Sequence, residues 1–165
     1  MNTPQDDLEL AWSRVLHVYA NAQNRTDLFE KAIQDFLETS GDHVHILRKA
    51  LASPGVRRKA ALKSVERLDE AEQKQLLGDL VFLASWAHGS TVFVRQIIAD
   101  YLREWAKMNV EQFAEPILQQ GDEEGYRRIL ELYRDLDLNM MLRLAKRALQ
   151  HDNLLIQEIG KEFLE

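Results

Sequence analysis

The chain has 165 residues, 45% of them apolar and 29% charged, with no cysteine and a formal net charge of −6. That length suits one globular domain with a sizeable core, and the lack of cysteine excludes disulfides and thiolate metal sites. The acidic balance argues against general binding to a phosphate backbone, which requires a basic footprint.

Seven glycines and three prolines leave few places to break a helix, and the good helix formers Ala, Leu, Glu, Gln, Lys and Arg dominate. The sequence therefore predicts an all-α protein. Its polar, acidic opening "MNTPQDDLEL" has no basic stretch before an apolar run, so no secretory leader is expected, and with no cysteine the expected location is the reducing cytoplasm. The most apolar patch, "LVFLASWA" (80–87), falls short of the roughly 18 residues of a membrane span and reads as a buried helix with Trp86 in the core.

In chain order, "DDLELAWSRVLHVYANA" predicts a first helix capped by Asp6 or Asp7, with Leu8, Trp12, Val15, Leu16 and Tyr19 at helical spacing. "TDLFEKAIQDFLE" predicts a second, opened by Thr26 and closed near Gly41, where a left-handed cap is favoured. Further helices are predicted at about 43–52, 54–68, 70–88, 90–107, 109–120, 122–136, 138–151 and 153–164. That makes ten short amphipathic helices, each with a stripe to bury.

Several of the later helices share a pattern. Ser90 leads to Val94-Arg95, Asp122 to Tyr126-Arg127 and Asp152 to Ile156-Gln157, followed by Ile97, Ile129 and Ile159, then Tyr101, Tyr133 and Phe163. Such a period of about thirty residues predicts stacked helical hairpins. The segment "ASPGVRRKAALKSV" (52–65) joins the series through Ser53, Pro54 and Val56-Arg57, although Lys59 and Lys63 stand where the other copies carry Ile and aromatics. Arg57 is expected to pair with an acid on a neighbouring hairpin.

"ILRKALASPGVRRKAALKSVERL" resembles a HEAT-type (armadillo/HEAT-like) repeat, and "LASWAHGSTVFVRQIIADYL" and "LAKRALQHDNLLIQEIGKEFL" resemble weaker copies. In that family an Asp-Pro turn and a Val-Arg pair open the second helix. Here Ser53 replaces Asp, Tyr126 and Ile156 replace Val, and Gln157 replaces Arg. The resemblance spans 43–165, with 1–42 a divergent N-terminal capping hairpin of the same single domain. It implies a right-handed α-solenoid of about five antiparallel hairpins, a HEAT-like superhelix that binds partners and has no catalytic residue.

The residues themselves point to no chemistry. His17, His43, His45, His88 and His151 form no metal motif, since His43 and His45 diverge on a helix. The clusters Asp6-Asp7-Glu9, Asp69-Glu70-Glu72 and Asp122-Glu123-Glu124 stand at predicted helix starts, where negative charge complements the helix dipole; Asp135-Asp137 is a further acidic pair. No nucleophile elbow appears, and the glycines of "QQGDEEG" (119–125) lie among acids that repel phosphate. Accordingly no cofactor, metal or catalytic residue is expected.

Charge is unevenly spread. Residues 41–68 carry seven basic against two acidic side chains, and 69–125 carry four against eleven. The leading expectation is a non-enzymatic protein–protein interaction module, binding another protein through the concave face of its hairpins. Arg58, Lys59, Lys63, Arg95, Arg103, Trp105, Arg127 and Arg128 are the candidate contacts, because Arg and Trp are enriched at interface hot spots. A second reading is a small acidic inhibitor or immunity-type protein that masks a basic enzyme surface through 69–125. A third is a HEAT-fold enzyme such as a DNA glycosylase or a bilin lyase. The apolar C-terminal helix "NLLIQEIGKEFLE" adds the expectation of a homodimer contact. Neither nucleic acid nor membrane is an expected partner.

Overall fold

The computed structural model describes residues 3–21 and 26–165, and every regular element among them is helical, with eleven helices and no strand. No helix among the described residues is long and apolar enough to cross a membrane. Contacts gather the chain into two compact units, Met1–Leu76 and Leu77–Glu165.

The first unit comprises α1 (Pro4–Asn21), α2 (Thr26–Glu38), α3 (His43–Ala52), α4 (Val56–Val65) and α5 (Glu70–Gln75). Helix α1 begins earlier than its acidic pair suggests, with Pro4 at the first helical position. The Asp6 amide donates to the Thr3 hydroxyl (3.2 Å) and the Thr3 amide to the Asp6 carboxylate (2.8 Å). This reciprocal box satisfies two orphan groups, so Asp6 supports the cap from inside the helix. Ala22, the last residue of the predicted helix, lies outside the described residues.

Helix α1 packs on α2, α3 and α4, and α3 packs on α4 and α5. Leu8, Val15, Phe36, Leu47 and Leu62 are fully buried between them, with the Trp12 and Phe36 rings 5.3 Å apart. Gly41 adopts φ +154° and is not the left-handed cap expected; a Cβ there would stand 2.6 Å from a Leu8 methyl. His43 ties the end of α2 to α5, with Nε2 2.9 Å from the Thr39 carbonyl and Nδ1 3.0 Å from Glu72.

The second unit comprises α6 (Leu77–Ala84), α7 (Thr91–Tyr101), α8 (Arg103–Gln119), α9 (Glu123–Leu136), α10 (Leu138–Ala148) and α11 (Leu154–Glu162). Helix α6 packs on α7 and α8, while α9 packs on α7, α8, α10 and α11. The repeated positions Val94, Tyr126 and Ile156 are buried, as are Ile97, Ile129 and Ile159. Of the aromatics that follow, Tyr133 is buried but Tyr101 is 45% exposed.

Three boundaries differ from the sequence reading. The predicted helix 70–88 is two helices, because Leu76 (φ −94°, ψ −3°) closes α5 with a tight bond from its amide to the Gln73 carbonyl. The second of these stops at Ala84, where the Ser85 hydroxyl and amide both turn back to the Phe82 carbonyl. Trp86 therefore sits in the following turn at 41% exposure and is not core, its ring 5.2 Å from His88. The break expected before Asn109 falls instead at buried Leu102 (φ −122°, ψ 7°), a residue with no breaker chemistry.

Two histidines close hairpin turns by the same means. The Ser90 amide donates to His88 Nδ1 (3.1 Å), and the Asn153 amide to His151 Nδ1 (3.0 Å). His88 Nε2 then donates to the Leu83 carbonyl (2.9 Å), and the His151 ring stacks edge-on against Tyr126.

Candidate functional site

Of the eight sequence-derived candidates, Arg58, Lys59 and Lys63 lie on α4 of the first unit, and the other five lie on α7, α8 and α9 of the second. Arg58 is not a surface group. It is 8% exposed, and its Nε donates to the Leu51 carbonyl (2.8 Å) at the end of α3. A guanidinium over a helix C-terminus satisfies carbonyls that no amide reaches and complements the dipole. Arg57, expected to bridge hairpins, is exposed, while the outward stripe of α4 is Val56, Lys59 and Lys63, continued by Arg67. Spacings of three, four and four residues put these side chains one above another.

Burial does not follow the Val-Arg pairs. Val56 is 45% exposed where Val94 is buried, whereas Arg58, Ala60, Ala61 and Val65 are buried at the same spacing as Arg95, Ile97, Ile98 and Leu102. Lys59 and Lys63 then fall opposite the exposed Gln96 and Asp100 and displace no core residue.

In the second unit most candidates are committed to the fold. Arg95 is 8% exposed and pairs with Glu131 and with Asp135 (3.0 Å), both on α9. Arg128 joins the same cluster, reaching Glu131 (2.9 Å) and Glu124 (2.6 Å), so α7 and α9 share a five-residue ionic network. Arg127 pairs with Glu162 on α11 (2.7 Å), which holds the Glu162 carboxyl below its usual range. Arg103 is exposed, but its Nη1 donates to the Leu136 carbonyl (2.9 Å) at the end of α9. Trp105 is half-buried and its carbonyl accepts from Asn109 (2.9 Å).

Two parallel pairs cross from α8 to α10, Glu111–Arg143 (3.1 Å) and Glu115–Arg147 (2.6 Å). Beneath them lies a cavity of about 160 Å³ lined by Leu118, Tyr133, Met140 and Leu144. Burial pushes the Tyr133 phenol well above its ordinary range, so it keeps its proton and is no base. Hydrogen bonding from Arg147 holds Glu115 ionised below the usual carboxylate range. A cavity this small, rimmed by mutually satisfied charges, offers little room for a ligand of ordinary size.

Among the described residues no group of three or more His, Asp or Glu side chains could hold a metal ion. The acids of 69–125 are largely engaged as well. Asp69 and Asp122 cap helices, Glu123 accepts from Asn153 (2.6 Å), and Glu104, Glu111, Glu115 and Glu124 are paired. Among the candidate cations, Lys59 on α4 stands without an ion pair among the described residues, whereas its neighbour Lys63 pairs with Glu66. Comparison with known proteins returned no matching family model, no matching curated protein and no matching solved structure.

Proposed function

We propose that this protein is a non-enzymatic, HEAT-like α-solenoid that binds an acidic protein partner through the outward stripe of α4, with Lys59 and Lys63 at its centre. The observation that carries this reading is the contrast in how cations are used. The candidate arginines Arg58, Arg95, Arg103, Arg127 and Arg128 satisfy helix ends or carboxylates, whereas Lys59 holds its charge on an exposed stripe shared with Lys63 and flanked by Arg57. Like charges at one-turn spacing repel in the isolated protein, and a negative surface relieves that repulsion.

The solenoid part of the reading is supported by pairing at a repeating separation. The α8–α10 pairs join residues 32 apart, Arg95 and Glu131 are 36 apart, and Arg127 and Glu162 are 35 apart. Within the second unit α8 thus meets α10, α7 meets α9 and α9 meets α11, the pattern that stacked hairpins require. The engagement of most acids in 69–125 within the fold favours the α4 reading over the inhibitor reading.

Replacement of Val56 by a photo-crosslinkable residue will trap the partner from extract, and Lys59→Glu with Lys63→Glu will abolish that trapping. The thermal midpoint will stay nearly unchanged, since the Lys63–Glu66 pair, at 3.6 Å with the lysine largely in solvent, contributes at most about 1 kcal/mol. Trapping that survives the reversal, or that ignores ionic strength, overturns the assignment to α4.

A further inference from the structure

The open side of the α1–α2 hairpin carries a groove of about 400 Å³ that none of the sequence candidates touches. Ala11 and Val18 of α1 and Leu28 of α2 give it an apolar floor, while Arg14, Lys31 and Asp35 bring charge to its rim. None of those three charged groups has an ion-pair partner among the described residues. Leu28 to Asp35 covers two turns, about 10 Å, which is the footprint of a helix presenting anchors at one-turn intervals.

One helix of this chain presents a face of matching kind. In α11, Ile156, Ile159 and Gly160 are buried, and the opposite side is the stripe Leu154, Glu158, Lys161 and Glu165, all exposed. Spacings of four, three and four residues align them along the helix and just past its end. Leu154 is 70% exposed, and its neighbour Leu155 is 55% exposed. Leu154 to Lys161 again spans two turns. Glu158, Lys161 and Glu165 have no ion-pair partner among the described residues either.

We infer that the α1–α2 groove receives α11 of a second copy of this chain. Leu154 and Leu155 would cover the apolar floor, and two acids with one base would face two bases with one acid. The juxtaposition is heterologous, because each copy offers a different surface at each side, so association continues head to tail and does not stop at a symmetric dimer. The inference is independent of the α4 reading, since it uses none of the α4 residues.

The test uses the full chain in sedimentation velocity over a concentration series at low ionic strength. Wild type will show mass rising with concentration and falling back with salt. A groove variant, Arg14→Glu with Lys31→Glu, and a stripe variant, Leu154→Ser with Glu158→Lys, will each stay monomeric. Mixed in equal amounts they will form a one-to-one dimer and nothing larger, because each retains one working face. All four positions are exposed, and an unchanged helical circular dichroism spectrum will verify folding. A wild type that is monomeric throughout overturns the inference. So does a folded variant that still assembles within about threefold of wild type, or a mixture that remains monomeric, since like-charge contacts should weaken association at least about tenfold.

Discussion

Arg57 and Arg58 are adjacent and identical in type, yet the fold uses them in opposite ways. Arg58 lies over the end of α3 and Arg57 faces water. Replacing Arg58 by Met strands the Leu51 carbonyl in a buried setting and should cost about 1–3 kcal/mol in urea denaturation. Arg57→Met should stay within about 0.5 kcal/mol of wild type. Equal losses from the two would show that the carbonyl contact contributes nothing. A second residue-scale prediction concerns Glu115, whose carboxyl is held low by Arg147. A carboxylate with a depressed folded value stabilises above its unfolded value and loses that stabilisation as pH falls through the folded one. Wild type should therefore exceed Glu115→Gln by up to about 1 kcal/mol at neutral pH, for an exposed pair. The two should converge only as pH falls through that depressed value, below the ordinary glutamate range. A gap that persists in acid would assign the difference to packing. At this scale the sequence was a poor guide, because a guanidinium bound to a carbonyl and one bound to a partner are written with the same letter.

At the scale of elements, periodicity was sufficient to place nearly every helix, and the buried Val94, Tyr126 and Ile156 were legible as equivalent core positions. Caps with a side-chain signature were legible too, as at Asp69 and Asp122. Breaks without such chemistry were not. Leu102 ends α7 although it is a strong helix former, since packing of a fully apolar side chain decides its backbone there. Trp86 was misplaced for a related reason, as the helix assumed to carry it ends two residues earlier. The α1–α2 groove escaped notice because it lies between flanks of two helices, and no single helical wheel contains it. Helix α11 is fixed against α10 by Gly160, where a Cβ would stand 2.8 Å from the Ala145 carbonyl and 2.9 Å from the Ala148 Cβ. Gly160→Ala should therefore destabilise by about 1–3 kcal/mol despite its better helix propensity, read from thermal unfolding by circular dichroism. A gain in midpoint would mean that α11 shifts freely to accommodate the methyl.

At the scale of the molecule, the all-helical class followed from composition, whereas the gathering of contacts into Met1–Leu76 and Leu77–Glu165 did not. The connection itself is a pair of fully buried leucines, Leu76-Leu77, which reads like the interior of a helix. The cross-hairpin pairs carry a further consequence. Helix α9 is directional: it accepts Arg95 through Glu131 and Asp135 on one side and offers Arg127 to Glu162 on the other. Within the second unit this one helix is therefore the keystone: removing it would open the joint to α7 and the joint to α11 together.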